Sequence, residues 1–147
     1  MQSVKIKYMK KNYAIYQVAF KIFLRKGNNV LFLKLSNKDT WDWPGGRADK
    51  NEGRVPIKKI LAREIREELG SDIKYKIGKI AFQYRRKCNA KNLYNLITVY
   101  EGEYISGGIK LSNEHNTYQW LNPKKFRFNK RNYPNREEFA AFKEYLK

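Results

Sequence analysis

The feature of this sequence that most constrains its fold is an amphipathic segment that begins at Pro56. Its apolar residues recur at spacings of mostly three and four, which is the period of one helix face. Proline suits the first turn of a helix, where its missing N–H has no intrahelical role. Gly70 supplies a C-terminal stop. The sequence therefore predicts a helix with a buried stripe formed by Ile57, Ile60, Leu61, Ile65 and Leu69.

Strand patterns surround this helix. Between Tyr16 and Leu24 the residues alternate, which predicts a strand with one strongly apolar face. Val30–Leu35 is nearly continuously apolar and predicts a strand that is buried on both faces. Residues 37–46 are predicted as a loop that ends in a Pro-Gly-Gly corner. The sequence also predicts strands at Lys74–Arg86, Leu93–Ile105 and Tyr118–Leu121, a short segment at Ile109–Leu111 and an amphipathic helix at Arg136–Leu146. A sheet flanked by at least two helices gives an α/β or α+β domain.

Length and cysteine content limit the class of protein. A chain of 147 residues with 41% hydrophobic content can fill one core, so residues 1–147 are expected to form a single domain. Cys88 is the only cysteine, which excludes an internal disulfide and favours a reducing, cytoplasmic location. The longest apolar stretch, Tyr13–Leu24, contains Gln17 and Lys21 and is too short for a bilayer, so no membrane association is expected.

The chain is strongly basic, with 32 Lys and Arg against 14 Asp and Glu and a formal net charge of +18. Such a charge favours phosphate-rich partners, either nucleotides or nucleic acid. The alternative is a lysine-rich composition without a basic groove. Residues 124–131 interleave cations with aromatic side chains, which is typical of single-strand binding, although a basic exposed loop gives the same pattern.

Three glutamates on the predicted helix form the chemically informative cluster. Glu64, Glu67 and Glu68 are related as i, i+3 and i+4, so they lie within an arc of about 100° beside the apolar stripe. Arg63 reaches Glu67 at i+4, but one cation does not neutralise three carboxylates. A hard divalent cation does, which makes Mg²⁺ the expected ligand and Mn²⁺ the alternative. The competing interpretation is a solvated glutamate face.

The segment around these glutamates resembles the Nudix box. Gly46, five residues and Glu52 fit the beginning of the box, and the eight residues from Arg63 to Gly70 fit its helical part. Two departures are present: ten residues rather than seven separate Glu52 from Arg63, and Ser71 replaces an aliphatic residue. We expect the additional residues to lengthen the loop before the helix and to leave the helix itself unchanged.

The resemblance implies an α/β/α sandwich around a mixed sheet and a metal-dependent hydrolase. Its substrate would be a nucleoside di- or triphosphate derivative, with water attacking one phosphorus. The implied metal ligands are Glu64, Glu67 and Glu68 together with the Gly45 carbonyl. A contact between Arg63 and Glu52, near Gly46, would orient the helix.

Other roles follow less directly. Either Glu68 or Glu114 could serve as the base, with the helix glutamate slightly favoured, and the adjacent His115 is expected to be a bystander. Arg47 and Arg85 are candidates for binding phosphate, and Tyr84 for contacting the substrate. The alternatives to a small-molecule hydrolase are an RNA-binding protein or RNA 5′-end pyrophosphohydrolase, and a non-catalytic nucleotide sensor. The oligomeric state is expected to be a monomer or a homodimer.

Overall fold

All the described strands belong to one mixed sheet. The computed structural model describes residues 12–35, 40–88, 92–128 and 136–147. A short 3₁₀ turn at Lys50–Glu52 precedes the first helix. In chain order the elements are β1 (Tyr16–Lys26), β2 (Asn29–Leu35), β3 (Trp41–Asp42), β4 (Gly45–Arg47), α1 (Ile57–Leu69), β5 (Lys74–Lys87), β6 (Tyr94–Ser106), β7 (His115–Leu121) and α2 (Arg136–Tyr145).

The order of the sheet places the long strands β1 and β6 at its centre. The strands run β3-β2-β1-β6-β5, with β4 paired to β1 and β7 paired to β2. The pairing of β1 with β6 is parallel, whereas the other pairings are antiparallel. Gly27, with φ of +62°, closes the tight turn between β1 and β2. The predicted strands are therefore present, and the sheet is mixed.

A helix covers each face of this sheet. The stripe of α1 that contains Leu61 and Ile65 packs on one face, against side chains such as Ile22 and Leu31. On the opposite face, Phe142 of α2 is fully buried in an aromatic core with Phe23, Phe32, Trp43 and Phe82. The three layers form the expected α/β/α sandwich. None of the helices in the described part of the chain is long and apolar enough to cross a membrane.

The central strand β1 differs from its prediction, because both of its faces are buried rather than one. Ala19 and Phe23 face the aromatic core, whereas Phe20 and Ile22 face α1. Lys21, which interrupts the apolar run, is only 5% exposed. Its ammonium group pairs with Asp42 at 2.8 Å and donates to the carbonyl of Trp43 at 3.1 Å. Burial of the lysine is tolerated because these partners replace its hydration.

The predicted loop at residues 37–46 is also partly wrong. Trp41–Asp42 pairs with β2, and Gly45–Arg47 pairs with β1. Residues 36–39 lie outside the described residues. The predicted segment at Ile109–Leu111 forms no strand. Pro56 stands one residue before α1 as its N-cap, and Gly70 ends the helix with φ of +87°.

The packing of Phe142 predicts its effect on stability. Replacing a fully buried phenylalanine by alanine removes apolar contacts and leaves a cavity, at a cost of about 3–5 kcal/mol. We expect Phe142→Ala to lower the free energy of unfolding by that amount, as measured by urea denaturation followed by circular dichroism. Phe126→Ala is the matched control, because Phe126 is 39% exposed. An equal loss in both variants would contradict the position assigned to α2.

Candidate active site

The carboxylates of α1 lie directly against the backbone of Gly45 and Gly46. The Gly45 N–H donates to Oε2 of Glu68 at 3.0 Å. The Glu64 carboxylate occupies the space into which a Cβ on Gly46 would project. A Cβ on Gly45 would overlap the Phe20 carbonyl, and Gly45 has φ of +139°. Gly45 therefore requires glycine for its close approach to β1, whereas the space beside Gly46 is filled by the flexible end of the Glu64 side chain.

Arg63 connects the acidic residues at the exposed side of the helix. Its Nε donates to Oε2 of Glu52 at 2.8 Å. Its Nη1 lies 3.0 Å from Oε1 of Glu64 and 3.1 Å from Oε1 of Glu67. Its Nη2 donates to the Arg47 carbonyl at 3.4 Å. One guanidinium thus joins the helix to β4 and to the preceding loop.

The contact between Arg63 and Glu52 forms despite the ten-residue spacing. The longer connection lies after Glu52, where residues 53–56 turn into α1, and the Asp49 N–H donates to Oε1 of Glu52 at 2.7 Å. The hydrogen bonds from Arg63, then that from the Asp49 backbone, hold the pKa of Glu52 below its usual value. The helix itself is unchanged by the longer loop, as expected.

The three helix glutamates differ in exposure and in acidity. The Glu67 side chain is 57% exposed, that of Glu64 is 13% exposed, and Glu68 is 7% exposed. Burial raises the pKa of Glu64, although Arg63 opposes the shift. Burial also raises the pKa of Glu68 to about 8, against the opposing effects of Lys21 and the Gly45 N–H. Glu68 is therefore held largely protonated at neutral pH unless a cation joins it.

Residues 110–115 lie against the C-terminal end of α1, next to Glu68. The Ser112 N–H donates to the Glu68 carbonyl at 3.0 Å, and the Lys110 N–H donates to the Leu69 carbonyl at 2.8 Å. This docking brings Glu114 and His115 beside Glu68, with ligand atoms of all three residues within 4.8 Å of one another. The two candidate bases, Glu68 and Glu114, are therefore neighbours.

This arrangement has the donor chemistry of a site for a divalent cation. Carboxylate oxygens from Glu64 and Glu68 meet a glycine backbone, with Glu67 beside them on Arg63, and oxygen ligands of this kind suit Mg²⁺ and Mn²⁺. Arg63 neutralises the carboxylates on the exposed side. Glu68 has the Gly45 N–H as its hydrogen-bond donor, so a cation would complete its surroundings. The residues present thus fit a bound divalent metal.

The three residues predicted to contact the substrate have different surroundings. Arg47 lies at the end of β4, where its carbonyl accepts from Arg63 and its side chain donates to Gln17 at 3.2 Å. Arg85 instead pairs with Glu137 of α2 at 3.1 Å. Only Arg47 is directly connected to the residues around the glutamates.

Tyr84 requires a correction. It is 2% exposed and belongs to the aromatic core, with its ring against Phe82 and Trp43. On β5 the side chains of residues 82 and 84 point to the same face, because strand side chains alternate. That face is covered by α2. Tyr84 therefore offers no exposed ring face to a nucleobase, and the substrate-binding role predicted for it is not supported.

A buried ionic network next to this site was not predicted from the sequence. Asp42, paired with Lys21, also lies 3.8 Å from Nη2 of Arg86, which pairs with Glu138 at 2.7 Å. Burial opposes ionisation of Asp42, but Lys21 and then Arg86 outweigh it and lower its pKa. The only signal in the sequence was the interruption of an apolar strand by Lys21.

The basic segment at residues 124–131 is partly described. The Phe128 ring packs on Phe32 of β2 with centroids 4.9 Å apart, and Phe126 packs on Phe128 at 4.8 Å. Residues 129–131 lie outside the described residues. One of the two aromatic side chains thus joins the core, and nucleic-acid binding by this segment stays a prediction.

Comparisons with known proteins agree with this geometry. Residues 15–142 match the family model of the NUDIX domain, and no curated protein matches the chain. The structure is similar to the MutT protein from Methanosarcina mazei Go1, which is 26% identical, with a TM-score of 0.70 and coverage of 89% of this chain and 93% of that one.

Two further solved structures share the fold. A MutT NUDIX hydrolase from Burkholderia pseudomallei is 19% identical, with a TM-score of 0.68 and coverage of 88% and 97% of the two chains. An ADP-ribose pyrophosphatase from Streptococcus suis 89-1591 is 13% identical, with a TM-score of 0.58 and coverage of 87% and 89%. Since the family model spans most of the sequence, this chain belongs to the NUDIX family and is a hydrolase.

Proposed function

We propose that this hydrolase is a divalent-metal-dependent pyrophosphohydrolase that cleaves nucleoside di- or triphosphate derivatives through water attack on phosphorus, and that residues 1–147 form one domain. The observation that carries the proposal is the placement of Glu64 and Glu68 against bare glycine backbone. Carboxylates alone would repel a polyphosphate. Carboxylates that lie close together beside glycine backbone suit a cation that also binds the phosphate groups of the substrate.

The metal would be held by Glu64, Glu67 and Glu68, with the Gly45 carbonyl as a further ligand. Mg²⁺ is the expected ion and Mn²⁺ the alternative. When bound, such an ion supplies positive charge to phosphate oxygens and makes water more acidic. The Arg63 contacts to Glu52, Glu64 and Glu67 hold the helix side chains in place before substrate arrives.

The proton of the attacking water would pass to a carboxylate at the Glu68 end of the site. Glu68 and Glu114 are both placed for this, and their proximity allows one to respond to the charge of the other. Arg47 would pair with a phosphate group of the substrate, since it projects from β4 next to the Arg63 cluster.

The first prediction concerns the metal ligands. We expect the wild-type protein to release phosphate or nucleotide from a panel of nucleoside triphosphates, ADP-ribose and dinucleoside polyphosphates only when Mg²⁺ or Mn²⁺ is present. Glu67→Gln and Glu68→Gln should each lower kcat about a hundredfold or more, as expected on losing a metal ligand. Glu144→Gln on α2, where the side chain is 75% exposed, is the control.

Three results would contradict this assignment. A folded Glu67→Gln variant with wild-type turnover would remove Glu67 from the metal ligands. Binding of nucleotides without hydrolysis of any member of the panel would favour a sensor. Hydrolysis of 5′-capped RNA, assayed beside the panel, and of no small nucleotide would favour RNA 5′-end processing.

The second prediction concerns Gly46. A methyl group there would displace the Glu64 carboxylate, which is the flexible end of a side chain, so the fold should survive. We expect Gly46→Ala to weaken Mg²⁺ binding about tenfold or more in calorimetry, with little change in the melting temperature. Gly53→Ala is the control, because nothing lies within 4 Å of its added Cβ. Equal Mg²⁺ affinity in the two variants would contradict the role of Gly46.

The third prediction concerns pH and the metal-free protein. The pKa of Glu68 is raised by burial in the folded state to about 8, above its ordinary value of 4.5, so the folded state binds the additional proton between these values. The contribution of Glu68 to stability is therefore present at low pH and is lost as pH rises towards 8. Its size is on the order of several kcal/mol.

Because glutamine resembles the protonated carboxyl, we expect the difference in unfolding free energy between wild type and Glu68→Gln to move in favour of the variant from pH 5 to pH 8 in EDTA. Urea denaturation at each pH measures it, and Glu144→Gln should show no such trend. A constant difference between wild type and Glu68→Gln across this range would contradict the burial argument. Added Mg²⁺ should restore stability at pH 8, because it replaces the lost proton.

A further inference from the structure

His115 is a buried side chain of this region to which the proposed function gives no role. It begins β7 and is 5% exposed. Among the described residues, neither of its ring nitrogens has a hydrogen-bond partner. Buried polar atoms are nearly always satisfied, because an unpaired one forfeits its hydration without compensation. The imidazole therefore lacks a partner that the fold would be expected to supply.

The position of the ring indicates what that partner is. A ligand atom of His115 lies within 4.8 Å of carboxylate oxygens from both Glu68 and Glu114. Three atoms no more than 4.8 Å apart lie within about 2.8 Å of a common centre, so shifts of less than about an ångström would bring all three to the roughly 2.0–2.2 Å at which zinc binds such ligands. Imidazole nitrogen is the commonest metal ligand that proteins supply.

We propose that His115, Glu68 and Glu114 form a mixed nitrogen and oxygen site that binds a first-row transition-metal dication, such as Zn²⁺ or Co²⁺, more tightly than Mg²⁺. Imidazole nitrogen is a ligand that Zn²⁺ and Co²⁺ accept readily and that Mg²⁺ disfavours. The proposal deepens the proposed function, on which it rests through the shared residue Glu68, and it adds a ligand that the glutamate cluster does not contain.

The docking of the loop makes this site part of the fold. Backbone hydrogen bonds from Lys110 and Ser112 to the last turn of α1 fix the loop, and the His115 N–H adds a longer bond of 3.4 Å to the Ser112 carbonyl. The pairing of β7 with β2 fixes the residues that follow His115. The three ligands therefore come from two separate elements that are already joined, as in preorganised metal sites.

The test uses the fact that His115 is the only histidine in the chain. An untagged protein labelled with ¹⁵N-histidine and freed of metal by EDTA gives imidazole signals from this residue alone. We expect stoichiometric Zn²⁺ to shift one ring nitrogen strongly, whereas millimolar Mg²⁺ leaves both nearly unchanged. Zn²⁺ that leaves both resonances in place, as it would if the ring were merely bonded to buried water, would overturn the proposal.

Variants give an independent measurement. In calorimetry, His115→Gln and Glu114→Gln should each weaken Zn²⁺ binding about tenfold or more, with less than about threefold change for Mg²⁺ in His115→Gln. Glu103→Gln, an exposed carboxylate on β6, is the control. Unchanged Zn²⁺ affinity in a folded His115→Gln variant would also overturn the proposal. Because the readout is binding, a Zn²⁺ site in a protein that hydrolyses no nucleotide would leave this inference standing and remove only the hydrolase activity.

Discussion

The structure depends on the close approach of a two-glycine strand to a helix that carries three carboxylates. Gly45 must lack a Cβ to lie against the Phe20 carbonyl of the neighbouring strand, and the missing Cβ of Gly46 leaves the space that the Glu64 carboxylate fills. The approach also needs a helix that is fixed in rotation, which the burial of Leu61 and Ile65 provides. The acidic cluster is thus a consequence of core packing on one face and of missing side chains on the other.

Electrostatics explain why such a basic chain keeps acidic groups together. With a net charge of +18, the protein could have neutralised each glutamate with a lysine. Instead Arg63 forms ion pairs with Glu64 and Glu67, and burial raises the pKa of Glu68. In the proposed function, the positive charge of the protein would attract a polyphosphate and the acidic cluster would hold a cation. The two features are complementary.

The elements of local origin were predictable from the sequence. The period of three and four residues specified α1, and the helical spacing of the glutamates followed from it, because neighbouring residues alone determine which side chains share a helix face. The strands β1, β5 and β6 were also recognised by their alternation and length. Predictions that depended only on nearby residues were therefore reliable in this protein.

The remaining features depended on partners that are distant in sequence. Lysine by itself favours an exposed position. The burial of Lys21 depends on its ion pair with Asp42, which lies on β3 and is placed there by the pairing of β3 with β2. Tyr84 was expected to contact substrate. Its burial was not predictable locally, because α2, which covers it, begins about fifty residues later. His115 was interpreted as a bystander, since nothing local showed that a docked loop would bury it beside Glu68. Tertiary contacts of this kind are not encoded in any short window of sequence.

The ionic network beneath α2 links the end of the fold to its centre. Glu138 neutralises Arg86, Arg86 approaches Asp42, and Asp42 holds Lys21, whose charge acts on Glu68. A change at Glu138 that removed its charge would therefore leave Arg86 buried without that carboxylate and alter the charges that act at the opposite face of the sheet. A substitution on α2 can thus reach Glu68 through charge, without altering a single residue of α1.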